Sequence, residues 1–114
     1  IATNKRIRNL FQAMIDVYEV DGFGWCRHAL ARTSNNQSRD TLDGDIERVC
    51  ALGAMNIVID RRKISELDRF TLMFNAQKKF EKFTGFELST FNDLKCKSKK
   101  TLIKTLTNLI KDLK

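Results

Sequence analysis

Four polar side chains, which lie close together in pairs along the chain, are the first candidates for chemistry. Cys26 and His28 stand two residues apart, and Asn92 and Asp93 are adjacent. A Cys-His-Asn set can activate a thiolate for nucleophilic attack. In an extended segment, however, Cys26 and His28 would point the same way without the separation of known triads. We therefore favour a buried Cys26 and a surface or capping His28, because a free cysteine is most often a core residue.

The Asn92-Asp93 pair has two interpretations. Both side chains can bond nearby backbone N–H groups, as an Asx turn or as the cap of a following helix. Alternatively, they form a small-ligand or enzymatic pocket together with Trp25 and His28. Convergence of these four side chains within hydrogen-bond reach would favour the pocket, whereas simple capping of the last helix would exclude it.

Trp25 is the only tryptophan, and Arg27 and Arg32 follow it closely. An exposed tryptophan beside an arginine can stack on a base or anchor a protein partner. A half-buried tryptophan that closes the core is the commoner arrangement. The exposed alternative makes Trp25 and Arg27 candidates for a macromolecular contact.

The positive charge of the chain is concentrated at its C-terminal end. Residues 1–75 hold 11 basic and 10 acidic side chains, whereas residues 76–114 hold ten lysines and four acids, in a chain of net charge +7. Lysine acts as a solvated point charge, which suits non-specific attraction to phosphate or an ordinary solvated face. If two antiparallel helices carry them, the lysines merge into one patch for a macromolecule: Lys78, Lys79, Lys82, Lys95, Lys97, Lys99 and Lys100.

Several classes of site lack support in the sequence. The chain has three cysteines, which is an odd number, and they form no Cys-x-x-Cys motif: Cys26, Cys50 and Cys96. We therefore expect reduced thiols in a cytoplasmic setting. With a single histidine, a structural zinc site is not expected, and no motif indicates a cofactor. No apolar run approaches the length of a membrane span, so a membrane partner is not expected.

The elements that must position these residues are mainly helices. Apolar residues at three- and four-residue spacing predict a first helix over 4–20, with Asn4 as its cap. Asp43 or Asp45 would cap a second helix, whose nearly apolar segment 50–59 is the candidate for the central buried helix. The small residues in the middle of that segment are typical of close approach by another element.

Two more helices are predicted in the second half. Ser65 fits the cap of a helix over about 65–83, and Gly85 fits its end. Ser98 or Lys99 would open the last helix, which has a regular leucine and isoleucine stripe. The third helix is traced by its apolar residues Leu67, Phe70, Phe74, Phe80 and Phe83. Apolar residues at 86, 88 and 91 indicate that the connector after it packs on the core. The aromatic residues that stand between the lysines are expected in the core: Phe80, Phe83 and Phe86.

The expected fold class is mainly α, with about four helices around one core. Its 114 residues, 42% of them apolar, suit a single domain over 1–114. Short connectors are expected at 23–32 and 86–94, with a short strand pair in the first as one option. Residues 33–44 are rich in Ser, Asn and Asp and predict the main exposed loop.

Three motifs resemble a family of small bacterial and phage proteins known only as a domain of unknown function. They are GWCRHALA, VCALGAM and STFNDL, followed by a closing helix. The chain differs at three positions: Val49 and Phe91 stand where the family often has Trp, and His28 where it usually has Gly. The resemblance implies one globular domain without a known cofactor. Small phage proteins of this size and charge are often host-takeover or anti-defence factors. The matching positions are Trp25, Ala29, Leu30, Cys50, Gly53, Ala54, Asn92 and Asp93.

Together these patterns favour a small basic binding protein over an enzyme. Its partner would be an acidic protein surface or a nucleic acid. The basic end would supply electrostatic attraction, and Trp25 with the 33–44 loop a more specific contact. The small-ligand or enzymatic site at Trp25, His28, Asn92 and Asp93 is the alternative. The oligomeric state stays open.

Overall fold

Helices hold most of the chain in the computed structural model, which describes residues 3–113. They are α1 (Asn4–Glu19), α2 (Ala51–Arg62), α3 (Glu66–Thr84), a single turn α4 (Leu88–Thr90) that continues as a π-helical turn (Phe91–Lys95), and α5 (Lys99–Asp112). The strands are β1 (Gly24–Trp25), β2 (Ala31–Thr33), β3 (Ser38–Arg39) and β4 (Ile46–Val49). The mainly helical class is confirmed, and a small four-stranded mixed sheet is added to it.

α1 is the central helix of the core. Its predicted stripe is buried along its whole length, from Ile7 to Tyr18. The cap is Thr3, whose side chain accepts the N–H of Arg6, so the choice of Asn4 was wrong by one residue. α5 packs antiparallel to α1 through the other regular stripe, since Arg8 near the start of α1 donates to the Leu113 carbonyl beyond the end of α5.

The predicted second helix begins later than expected. Residues 46–49 form β4 instead of a first helical turn, so the proposed caps Asp43 and Asp45 are wrong. α2 starts at Ala51, and the Sγ of Cys50 accepts the N–H of Gly53 at its start. The β-branched residues of 46–49 suit a strand, and neighbouring strands pair with both edges of this one.

The sheet has the order β1-β4-β2-β3. β1 runs parallel to β4, and β2 runs antiparallel to both β4 and β3. The strand pair that the sequence allowed in 23–32 forms only in part. The strands β1 and β2 are present, but they lie on opposite sides of β4 and do not pair with each other. The segment 33–44 is mostly exposed, as predicted, but it is not a continuous loop, because β3 lies within it.

α3 has the predicted ends but not the predicted buried face. Ser65 caps it, and Gly85 ends it in the left-handed conformation. Its buried residues are Leu72, Ala76 and Phe80. The helix offers two apolar lines at helical spacing, and only the narrower one packs against the core. Phe83 and Phe86, which were expected in the core, are exposed instead. The other exposed apolar residues of the helix are Leu67, Phe70 and Phe74.

The connector after α3 packs down as predicted, through Leu88 and Phe91. Leu88 is buried, and Phe91 meets Phe80 edge to face with ring centroids 5.2 Å apart. The π-helical turn then carries Asn92 into the core. Ser98 caps α5, as predicted, by accepting the N–H of Thr101. Within residues 3–113, no helix is long and apolar enough to cross a bilayer.

Gly53 sits where α2 crosses the segment before β2. A Cβ at this position would clash with the carbonyl oxygen of Leu30. That oxygen is fixed, because it also accepts the N–H of Cys50 at 3.0 Å. The sequence therefore needs glycine here, although glycine weakens a helix interior.

Replacing Gly53 by alanine should lower the free energy of unfolding by about 2 kcal/mol or more, because overpacking against fixed backbone outweighs the gain in helix propensity. Urea unfolding followed by circular dichroism measures this change. Gly44→Ala is the matched control, since a Cβ at Gly44 would meet no atom within 4 Å and its φ is not positive. Equal stability of the two variants would contradict the close approach at Gly53.

Candidate functional site

A single buried amide joins three distant segments of the chain. The Oδ1 atom of Asn92 accepts the indole N–H of Trp25 at 2.7 Å and the backbone N–H of Ala51 at 2.9 Å. Its Nδ2 donates to the Cys26 carbonyl at 3.1 Å and to Oδ1 of Asp93 at 2.9 Å. The side chain is completely buried, and all four of its hydrogen-bonding positions are used.

Asp93 extends this junction to the surface. Its Oδ1 accepts the backbone N–H of His28 at 3.0 Å, and its Oδ2 lies 3.6 Å from Nδ1 of the same histidine. His28 adopts a left-handed backbone conformation, with φ 62°, and its side chain is mostly exposed. Asp93 therefore holds the tight turn between β1 and β2.

The four residues of the proposed pocket do converge, as the sequence left open. Their polar atoms largely satisfy one another, however, so the arrangement acts as an internal connection. Asn92 caps a helix, but that helix is α2, 41 residues away, and not the last one. The prediction that Asn92 forms a local Asx turn or caps α5 was therefore wrong.

The three cysteines, which lie in or near the junction, are buried free thiols. Cys26 is buried and its Sγ donates to the Ala29 carbonyl at 3.6 Å. Burial raises the pKa of the Cys26 thiol to about 11, although Arg32 and Arg48 oppose the shift. Burial also raises the pKa values of Cys50 and Cys96. These thiols stay protonated near neutral pH, which removes the main support for a Cys26 nucleophile.

An open cleft of ≈ 370 Å³ lies directly beside the junction. We call it the arginine cleft. No cluster of His, Cys, Asp or Glu side chains suited to a metal ion occurs within residues 3–113. The wall of the arginine cleft is instead strongly basic. The residues that line it are Trp25, Cys26, Arg27, Arg32, Asn36, Arg48 and Lys97.

Two arginines of the cleft face each other across the sheet. Arg32 on β2 is the direct register partner of Arg48 on β4. Like charges in directly opposite positions destabilise an antiparallel pair. Gly24 on β1 makes room for Arg48, because a Cβ there would come within 2.7 Å of the Arg48 Cγ. The fold thus accommodates two like charges directly opposite each other on neighbouring strands.

Neutral oxygen atoms hold these arginines in place. Arg32 donates from Nη2 to the Arg27 carbonyl at 3.1 Å and from Nη1 to the Asn36 carbonyl at 3.0 Å. Arg48 donates to the Asn36 side-chain oxygen at 2.5 Å. In residues 3–113, none of the cleft cations pairs with a carboxylate. The cleft therefore keeps its full positive charge.

Arg27 closes the inner side of the cleft. Its guanidinium lies over the Trp25 ring, 5.1 Å from the ring centroid, and Nη2 donates to the Cys96 carbonyl. Its Nε is buried without a hydrogen-bond partner. Trp25 is half-buried and packs against the core, so the favoured arrangement is confirmed over a free stacking surface. Because it is bonded to Asn92 and covered by Arg27, it supports the wall of the cleft.

The predicted lysine patch is divided between two ends of the molecule. Lys79 and Lys82 lie beside Leu109 and Asp112, at the end of α5 that adjoins the start of α1. Lys99 donates to the Phe23 carbonyl at the opposite end of α1, a helix of 16 residues. At 1.5 Å per residue, these ends are about 24 Å apart. The two lysine groups therefore do not merge.

The remaining lysines take individual positions. Lys97 lines the arginine cleft. Lys95 lies over the Phe86 ring, 4.8 Å from its centroid, and Lys78 lies over Phe74 at 5.5 Å. Lys100 is exposed in the first turn of α5.

Sequence reasoning missed the roles of Asn36 and Arg48, and it noted Arg32 only as a neighbour of Trp25. No local signal marked Arg48, because Ile46-Glu-Arg-Val49 has its apolar residues three positions apart and does not alternate as a half-buried strand does. The chain matches no protein-family model, and no curated protein or solved structure shows significant similarity to it. The family resemblance therefore stays a prediction.

Asn92→Ala should lower the free energy of unfolding by about 3 kcal/mol or more, because it leaves the Trp25 indole N–H and the Ala51 N–H buried without an acceptor. Urea unfolding followed by the fluorescence of the single tryptophan measures it. Asn108→Ala, at an exposed position of α5, is the control and should change little. A loss below about 1 kcal/mol at Asn92 would contradict its role as a junction.

The native Cys26 thiol should react with a disulfide reagent at pH 8 at least about 100-fold more slowly than in the urea-unfolded chain. A thiol whose pKa is raised from 9.0 to about 11 holds its proton at that pH, and unfolding restores the ordinary pKa. Stopped-flow absorbance follows the reaction, and peptide mass spectrometry assigns it to Cys26. Rapid reaction of Cys26 in the native protein would revive the Cys26 nucleophile.

Proposed function

We propose that the protein binds nucleic acid through the phosphate backbone, with the arginine cleft as its principal contact. The proposal rests on one observation, the cross-strand pair of Arg32 and Arg48 that faces Arg27 and Lys97 without a carboxylate partner among residues 3–113. Guanidinium groups bind phosphate oxygens through paired, charge-assisted hydrogen bonds. A phosphate in the cleft would relieve the repulsion between the two arginines.

Charge beyond the cleft favours an extended anion over a small one. Lys97 lies in the cleft and is followed by Lys99 and Lys100 at the start of α5. A backbone that leaves the cleft toward these lysines would meet further positive charge. Contacts of this kind position a nucleic acid without reading its sequence. A host-takeover or anti-defence role is proposed on the family resemblance alone.

The binding should weaken steeply with salt and depend on the cleft. Fluorescence anisotropy with labelled single strands and duplexes, between about 50 and 200 mM salt, gives the slope of log K against log salt. Arg32→Gln/Arg48→Gln should lower affinity about tenfold or more at low salt and reduce the slope by about 1.4 to 1.8, because each of the two lost phosphate contacts contributes about 0.7 to 0.9.

Lys79→Gln/Lys82→Gln is the matched control, since it removes the same net charge at the far end of the molecule. Equal losses in both variants would show attraction to net charge without a site. Absence of binding at the lowest salt would refute the proposal. Equal binding of poly-glutamate would indicate an acidic protein surface as the partner instead.

A further inference from the structure

Three strongly exposed apolar residues form one line on α3. Leu67, Phe70 and Phe74 are 75%, 67% and 49% exposed. Their spacing of three and four residues places them on one face of the helix, away from the buried Leu72 and Ala76. We call this line the α3 stripe. Such a contiguous exposed line is typical of an interaction surface.

The two aromatic rings of the stripe form a flat platform. The Phe70 and Phe74 rings are stacked, with centroids 6.0 Å apart and planes 15° from parallel. Beyond Phe74 the platform continues into a groove of ≈ 240 Å³ between α3 and the following connector. None of the residues that line the arginine cleft lies on α3. The stripe and the cleft are therefore separate surfaces.

The charges of α3 are divided between its two ends. Glu66 and Asp68 occupy the first turn, where the neighbouring Arg69 is paired with Asp60. Lys78, Lys79 and Lys82 lie in the last two turns together with one acid, Glu81. α3 as a whole carries four basic and three acidic residues, whereas the protein has a net charge of +7. The stripe therefore lies on a nearly neutral helix, where repulsion between two copies of the chain is small, and the two ends of that helix are complementary to each other.

We infer that a second copy of the chain packs on the α3 stripe, with the two α3 helices antiparallel about a two-fold axis. If the axis passes between Phe70 and Phe74, each Phe70 lies level with Phe74 of the second copy. In the same register Glu66 lies level with Lys78 of the second copy. The acidic end of each helix then lies beside the basic end of the other. The same patch serves both copies, as a two-fold interface requires.

A nucleic acid is a poor occupant for the stripe, because the stripe is apolar and α3 is nearly neutral. The inference is therefore independent of the proposed phosphate binding.

Sedimentation equilibrium of the full chain at micromolar concentrations should give a mass that approaches twice 13.2 kDa. Phe70→Ser/Phe74→Ser should return it to 13.2 kDa. Leu42→Ser, which changes an equally exposed leucine in the segment before β4, should leave the dimer intact. Circular dichroism confirms that each variant stays folded. A wild-type chain of 13.2 kDa throughout, or a dimer that the phenylalanine changes do not affect, would overturn the inference.

Charge reversal tests the antiparallel register. Glu66→Lys and Lys78→Glu should each weaken the dimer about tenfold, because each replaces two symmetry-related attractions by repulsions. The double variant Glu66→Lys/Lys78→Glu should restore wild-type association. A double variant as weak as the single ones would overturn the antiparallel arrangement. A monomer that forms a defined complex with a different protein through the phenylalanines would overturn the self-association and assign the stripe to that protein.

Discussion

The fold depends on one buried amide whose hydrogen-bonding capacity is completely used. Asn92 ties the indole of Trp25, the carbonyl of Cys26 and the first N–H of α2 to the π-helical turn. A buried polar group is costly unless each of its positions finds a partner, and a satisfied one fixes a single arrangement of its neighbours. The strand β1, the start of α2 and the entry into α5 are thus positioned by the same side chain.

The arginine cleft follows from that arrangement. Trp25, which Asn92 orients, supports the guanidinium of Arg27, and Arg27 in turn bonds to the Cys96 carbonyl just before α5. The carbonyl of Arg27 accepts two hydrogen bonds from Arg32. A chain of contacts therefore runs from the buried amide to the basic surface. It keeps the arginines ordered without neutralising them, which a site for an anion requires.

The arginine cleft and the α3 stripe would each be stabilised by a different kind of partner. The cleft concentrates like charges that only an anion relieves. The α3 stripe exposes apolar area that another apolar surface would remove from water. The charge of the molecule is unevenly spread between the two, since α3 is nearly neutral and the start of α5 is strongly basic. The same chain can therefore present one surface to a polyanion and another to a copy of itself.

Local patterns in the sequence determined the helices and most of their ends. The stripes of α1 and α5 are regular, and Ser65, Ser98 and Gly85 act within one turn of the chain, so neighbouring residues suffice to predict them. The tertiary structure alone decided which line of α3 is buried, that residues 46–49 pair as a strand, and where Asn92 donates and accepts. These outcomes depend on partners far away in sequence, such as Trp25 and Asn92, which are 67 residues apart. Spacing along the chain carries no information about such partners. For that reason the sequence allowed the convergence of side chains on Asn92 as one alternative but gave no ground for choosing it. The pairing of Arg32 with Arg48 could not be foreseen at all.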